Sequence, residues 1–572
     1  MRNGRVWASV LLAVAVALSF AMPADAAKVL RRGNTAEPYS LDPHRATGSP
    51  ENNIIGDMII GLYTEGADSN PILGAAESVT TSKDGLTWTF KIRDHTWSDG
   101  TPVTAEDFVF AMRRELNPAT AAQYANILYP IKNAEKVNKG EGKVPVEELG
   151  VHAPDPKTLI IELENPAPFL PELLTHYTSY PLPRHVVEKY ASDWTKPGNM
   201  VSNGPYVLSE WRPHDHVKLV KNPKFYDAAN VKIDEVYFYP TDDDGAALKR
   251  FRNDELDTQY RWPLTEHKWL QQNIPNETRS YTGLNVTFTS FNTTRKPLDD
   301  VRVRKALGEA IDRQAIEREV YGHVYGDEAL TILPPGTANV DRTAQVPWAG
   351  LTMEQRKAEA KRLLAAAGFG PGHKLHLTYS YVQNPDIKRA AVAMQAMWKD
   401  VGADIEISAT EFKVHYKLLE THSFDLAQTA WQFDYNDAKN MLYLFESSTI
   451  EMNYPAYNSP AFDKLMAQAD VEKDVAKRGK LLGQASAVVM NDVAFAPNFY
   501  PYLRPLVKSY VLNWVNNPRD IYRTRWLDIE RKPAPGQNVA GTSGGASASE
   551  GGLWSWLGSW FSPEAWSKWW NS

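Results

Sequence analysis

Apolar and polar residues alternate with a period of two along Leu86-Thr87-Trp88-Thr89-Phe90-Lys91-Ile92, which predicts a half-buried β-strand. Val29 to Gly33 predicts another short strand, and Leu41-Asp42-Pro43-His44 a turn forced by its proline. The spacing turns helical at Val301, Ala306, Leu307, Ala310 and Ile311, behind the helix opening Pro297-Leu298-Asp299-Asp300. Met353 to Gly368 reads as an amphipathic helix ended by a glycine cap. Beyond the Ser98-Asp99-Gly100 turn, Thr104 is placed as a helix N-cap with Asp107 completing a capping box. Asp242-Asp243-Asp244-Gly245 lacks the alternating ligands and closing Glu of a calcium loop, so it is read as a capped start to a helix over Ala246 to Asn253.

One stretch carries chemistry. The alternating run Phe424-Asp425-Leu426-Ala427 predicts a strand that ends there and hands Trp431 and Asp434 to a loop within Thr429 to Asn440. A carboxylate beside a tryptophan face suits capture of an ammonium group: the acid supplies a charge-assisted hydrogen bond, and the ring supplies apolar area and cation attraction. The same residues also fit an ordinary turn at Asp434 with Trp431 filling core, and both readings stay open on these residues alone.

Length and charge narrow the class. At 572 residues the chain exceeds one ordinary core, so two or more lobes are expected. A net charge of −7 argues against nucleic acid as a partner, because phosphate binding needs a basic surface. Residues 1–26 read as a secretory signal: Arg2 and Arg5 are the basic start, Trp7 to Met22 the apolar segment, and Ala24-Asp25-Ala26 a small-x-small cleavage site. Its loss would make the charge one unit more negative. With no cysteine in the chain there is no disulfide, no thiolate metal site and no lipidated cysteine.

Enzyme signatures do not assemble. Gly541-Thr542-Ser543-Gly544-Gly545 spells a nucleophile elbow but lies in a Gly/Ser run that gives no strand and helix to strain the serine. His214 and His216 are expected to share a solvated strand face without a third metal ligand. No phosphate loop or zinc-protease motif occurs, so catalysis, metals and cofactors are not expected.

The ordered set Leu41-Asp42-Pro43-His44, Trp97 to Phe108, Asn203-Gly204-Pro205-Tyr206, Asn222-Pro223-Lys224-Phe225-Tyr226, Val301 to Leu307 and Ser459-Pro460-Ala461-Phe462-Asp463 resembles the periplasmic oligopeptide-binding proteins of bacterial ABC importers, family 5 of the solute-binding proteins. The resemblance spans roughly residues 28 to 531. It implies an α/β, two-lobed periplasmic binding protein of cluster C, type II-like, with a hinge and an inserted extra domain. Lobe I is then 27–60 plus 200–284 plus 500–531, the inserted domain 61–199, and lobe II 285–499. It also implies an exported, unlipidated, monomeric subunit that holds a peptide ligand in the interlobe cleft and passes it to an inner-membrane permease and ATPase complex. A narrower ligand, such as a modified or cell-wall peptide, is the alternative.

Site residues are implied by the same resemblance. Asp434, within Asp434-Tyr435-Asn436, falls at the amine-binding aspartate. Trp431 and Gln432 fall where backbone pairs with the peptide as an added strand, and Ser49 in the opposing segment. Tyr124, Tyr260 and Phe412 match positions that shape side-chain pockets. At two positions where relatives grip the peptide carboxylate with basic groups this chain has Gln428 and Ile387, leaving Arg295 and Arg261 as basic candidates. Asn285 and Gln432 stand where some relatives carry a cysteine pair.

Residues 532–552 read as a flexible linker. The tail 553–572, outside the family pattern, concentrates Trp554, Trp556, Trp560, Trp566, Trp569 and Trp570. Such density suits a peripheral membrane contact through Trp554 to Trp570, against packing on protein as the alternative. Equal flotation of full-length and 1–540 chains with liposomes would remove the membrane reading.

Overall fold

The six-stranded sheet of the first lobe is built around Val29–Gly33, which pairs in parallel with Glu235–Tyr239 on one side and at Arg32↔Thr258 with Thr258–Gln259 on the other. His216–Lys221 and Tyr206–Arg212 extend it antiparallel beyond Glu235–Tyr239, and Leu506–Val507 closes the opposite edge. These strands belong to a computed structural model that describes residues 27–341, 344–450 and 452–530, and the strand numbers given are those among the described residues. The signal segment, the linker and the tryptophan-rich tail lie outside them.

Asn285–Phe291 is the centre of a seven-stranded sheet, antiparallel to Leu426–Gln432 and to Phe495–Leu503. Leu375–Val382 joins the start of Leu426–Gln432 in parallel and carries Ala403–Thr410 outside it. A third, four-stranded antiparallel sheet, including Thr87–Ile92 and Thr158–Glu162, lies within 61–199. Its helix Ala105–Leu116 starts at the Thr104–Asp107 capping box and buries Phe108, Val109, Ala111 and Met112.

The chain leaves the first sheet at Gln259, enters the second at Tyr281, and returns between Leu503 and Leu506. The two passages lie side by side: Trp262 N donates to Arg504 O (3.1 Å) and Arg279 N to Pro505 O (3.1 Å). Paired passages between two lobes form a hinge. Much of the strip from Leu248 to Leu284 buries its side chains in the core of the seven-stranded sheet.

Three local expectations change. The helix over Val301–Glu309 buries Val303, Ala306 and Leu307, while Val301 is 42% exposed, because in the first turn it points away from the core. His214 has φ +63° in the hairpin turn before His216, so the two do not share a strand face; His216 packs on Tyr237 instead. The strand read as ending at Ala427 runs on to Gln432, since every residue from Leu426 to Gln432 has a register partner on Asn285–Phe291. Trp431 is therefore a strand residue and Asp434 alone reaches the loop.

Candidate functional site

Asp434 is held by the turn and short helix on its C-terminal side. Asp437 caps that helix, Ala438–Leu442, through Lys439 N (2.9 Å) and forms a two-pronged pair with Arg478 (2.7 and 2.9 Å), both side chains fully buried. Arg478 lies 4.6 Å over the Phe169 ring, whose other neighbour is Tyr435, stacked at 5.8 Å. On this anchored turn Asn440 uses one amide to fix two site residues. Its Oδ1 accepts from Trp431 Nε1 (2.9 Å) and Asp434 N (3.3 Å), and its Nδ2 donates to Asp434 Oδ2 (3.3 Å). Arg519 donates to the Asp434 carbonyl (2.7 Å) and to Thr175 Oγ1 (3.2 Å), tying the loop to the inserted region.

Asp434 is half-buried, and burial pushes its carboxyl up to about 6, against the smaller opposing effects of Asn440 and Arg519. No described residue hydrogen-bonds its Oδ1. A fixed carboxylate short of partners is a receiver for a cation.

An aromatic wall adjoins it. Tyr124 senses the charge of Asp434 and lies 5.5 Å from the His176 ring, which in turn sits 4.0 Å from Tyr177. Tyr177 donates its hydroxyl to Ala46 O (3.1 Å). Tyr416 and Tyr454, their ring centroids 6.4 Å apart, lie within electrostatic reach of Tyr124, and Phe412 sits tilted against Tyr416 at 4.7 Å while remaining 58% exposed. Burial, with Arg519 and Arg523 nearby, pushes His176 down to about 3, so it is neutral and does not repel an incoming cation.

The strand that carries Trp431 has one open edge. Asn285–Phe291 covers its whole length on one side, whereas Leu375–Val382 pairs on the other side only at Leu426 and Ala427. The Gln428 carbonyl on that open side is met by His415 Nε2 (2.7 Å). Backbone direction alternates along a strand, so the N–H and C=O groups of Ala430 and Gln432 fall on the same open edge, while those of Trp431, expected to pair with a peptide, turn toward Val286 instead. Free main-chain groups beside a carboxylate are what an extended peptide with an amino terminus would pair with.

A second group gathers near the start of helix Ser49–Met58. Tyr260 interacts through its hydroxyl with Asp520 and Ser49, and burial pushes Asp520 up to about 7. Arg261 lies beside them, exposed and held by Asp244 (3.0 Å). Arg295 is not part of either group: it pairs with Asp425 (3.0 Å) past the Phe291 end of the ladder whose Asn285 end meets Gln432, about 20 Å away at the strand rise. Gln428 Oε1 is buried without a partner, as are Asn285 Oδ1 and Gln432 Nε2 on directly opposed residues. Ile387 sits in the first turn of helix Pro385–Asp400.

Sequence reading missed Asn440, Arg519, His176, Tyr177, Tyr416 and Tyr454. Tyr416 was within reach as the fourth residue after Phe412 on one helix face; the others have no local signal.

Two mixed sheets joined at a paired-passage hinge, with a carboxylate and an open strand edge on the second lobe, define a two-lobed solute-binding protein. Residues 70–453 match the model of the bacterial extracellular solute-binding proteins, family 5 Middle, and the chain belongs to that family. It is 35% identical over 529 residues to the periplasmic oligopeptide-binding protein OppA of Escherichia coli K12, covering 91% of this chain and 96% of that one. Among solved structures, the Escherichia coli murein tripeptide binding protein MppA superposes with a TM-score of 0.81 at 32% identity, over 88% of this chain and 99% of that one. Haemophilus influenzae OppA in complex with RPPGFSPFR gives 0.79 at 31% identity, over 88% and 99%.

Proposed function

We propose that this chain captures short peptides by their amino terminus and backbone in the interlobe cleft and passes them to the permease and ATPase of an ABC importer. It acts as an exported, unlipidated periplasmic monomer and catalyses no reaction. The lobes divide as 27–60, 200–284 and 500–531 against 285–499, with 61–199 inserted. The observation that carries this reading is Asp434: a carboxyl fixed by Asn440, raised by burial, and set two residues beyond an open strand edge. In the bound state Asp434 takes the ligand ammonium, Ala430 and Gln432 pair with the peptide backbone, and the segment at Ser49 faces it from the first lobe. Tyr124, Tyr260, Trp431 and Phe412 line side-chain pockets. Main-chain pairing explains how such a site accepts varied side chains. Support from relatives is direct, since OppA and MppA carry peptide binding in their names.

Calorimetric titration with trialanine and N-acetyl-trialanine tests this. The free amine is expected to bind and the acetylated peptide to lose at least about 100-fold, the loss of a desolvated charge pair. Equal binding of the two would refute amine capture.

Affinity also depends on pH in a defined sense. The ammonium needs Asp434 ionised, and the empty site titrates near 6. Binding should release protons around pH 6 and weaken by up to about tenfold per unit of acidification below it, because the occupied carboxylate titrates lower. Above about 8 the peptide amine itself loses its proton. Affinity is therefore expected to peak between these limits, and a flat profile from pH 5 to 7 would be inconsistent with Asp434 as receiver.

A further inference from the structure

Resting on the peptide reading, a second charged group remains to be placed: a peptide bound by its amine also brings a carboxylate into the cleft. Gln428 and Ile387 are uncharged, and Arg295 is paired with Asp425 at the end of the strand ladder away from Asp434. The hinge supplies another candidate. Arg504 lies on the return passage between the lobes, its carbonyl bonded to Trp262 N. Its guanidinium stacks 5.3 Å over the Trp262 ring, and its Nη1 is buried with no hydrogen-bond partner.

None of the described carboxylates around it forms an ion pair with it. Asp244 is held by Arg261, and Asp386, next to Ile387, by Arg389 (2.6 Å). Glu317 spends Oε1 on the amides of Tyr325 and Gly326 and leaves Oε2 buried without a partner, and burial pushes its pKa up to about 7 against the smaller opposing effects of those amides and of Arg504. Desolvation, together with the like charge of Arg261, lowers the pKa of Arg504, opposed by Tyr325, Asp244 and Asp386. A half-buried guanidinium without an ion pair, within electrostatic reach of Asp386 and of the Asp244–Arg261 pair, is short of one anion.

We infer that Arg504, with Arg261 beside it, receives the carboxylate of the bound peptide in place of the uncharged Gln428 and Ile387. Guanidinium and carboxylate match as a two-pronged pair. The carboxylate is either the peptide C-terminus or an acidic side chain.

Calorimetry with tri-, tetra- and pentaalanine, their C-terminal amides, and Ala-Glu-Ala amide against Ala-Gln-Ala amide separates these sources in the wild type and in Arg504→Gln. If the C-terminus is the source, amidation lowers wild-type affinity about tenfold or more and has little further effect in Arg504→Gln, as expected when two changes remove one interaction. If a side chain is the source, Glu to Gln shows that pattern and amidation does not. The inference is overturned if neither change weakens wild-type binding, whatever the variant does, or if both weaken wild type and Arg504→Gln equally. Arg504→Lys, which keeps the charge, is expected to retain part of the discrimination. Binding of free-amine peptides with no preference for a carboxylate would overturn the Arg504 assignment alone. Failure of every peptide to bind wild type would overturn the peptide reading, and this assignment with it.

Discussion

Asp434→Asn is expected to weaken binding of a free-amine peptide by about 100- to 1,000-fold, because the ligand ammonium is buried in the closed cleft with its charged partner gone. The same substitution is expected to stabilise the empty protein at pH 7. A carboxyl whose folded-state pKa is raised to about 6 is more favourable protonated, so its ionisation above that pH opposes folding. The gain is of order 1 kcal/mol, less than the full shift converts to, since Asp434 is only half-buried. Asparagine retains an amide for Asn440 while removing the charge. Affinity and Tm thus move in opposite directions, which a variant that merely disordered the loop would not do. Titration calorimetry and a melting curve on the same sample check both.

Arg523→Met is expected to cost about 3–5 kcal/mol of stability, the penalty for leaving a buried charge unpaired. Arg523 and Glu65 are buried and share two hydrogen bonds (3.0 and 2.9 Å), and Arg523 also reaches Asn52 O (2.7 Å) and Oδ1 (2.9 Å). The guanidinium lies where a side chain on Gly56 would be: a Cβ there would fall 1.9 Å from Nη1. Gly56→Ala should therefore destabilise the wild type by forcing Arg523 off Glu65, and cost much less once Arg523 is Met. That non-additivity in urea midpoints is the signature of one shared contact. Burial alone would raise the Glu65 pKa, yet Arg523, assisted by Arg519, holds it below the usual carboxylate range. The stability this provides is present above the ordinary Glu pKa and is lost as pH falls through the lowered value.

How much of this could be read along the chain depends on the range of the interaction. The Thr104–Asp107 capping box, the Asp243-capped helix and the half-buried strand at Thr87–Ile92 are set by neighbours within a few residues, and the structure keeps all three. The strand at Leu426–Gln432 reads too short because the stretch from Gln428 to Gln432 abandons simple apolar alternation. Pairing with Asn285–Phe291, over a hundred residues away in the chain, decides its length. Asp434 draws notice because a carboxylate shortly past a tryptophan has local chemistry, but those residues fit an ordinary turn equally, and it is the family resemblance that favours a ligand there. Arg504, Arg519, Asp520 and Arg523 do not draw notice. They lie on irregular chain near the carboxy terminus, and their partners are elsewhere: Arg519 meets Thr175 and Asp434, and Arg523 meets Glu65. A buried arginine is spelled like an exposed one, and only the fold shows which carboxylates have already been used.

Native mass spectrometry of the protein as purified, followed by denaturation and identification of the released molecules, tests peptide capture most directly, with Asp434→Asn run beside it. The expected result is a mixture of short peptides with free amino termini, depleted in the variant. A single amine-bearing compound would narrow the ligand to one modified peptide or related solute. Retention of the same cargo by Asp434→Asn, or a released species with no amine, would contradict capture at this carboxylate.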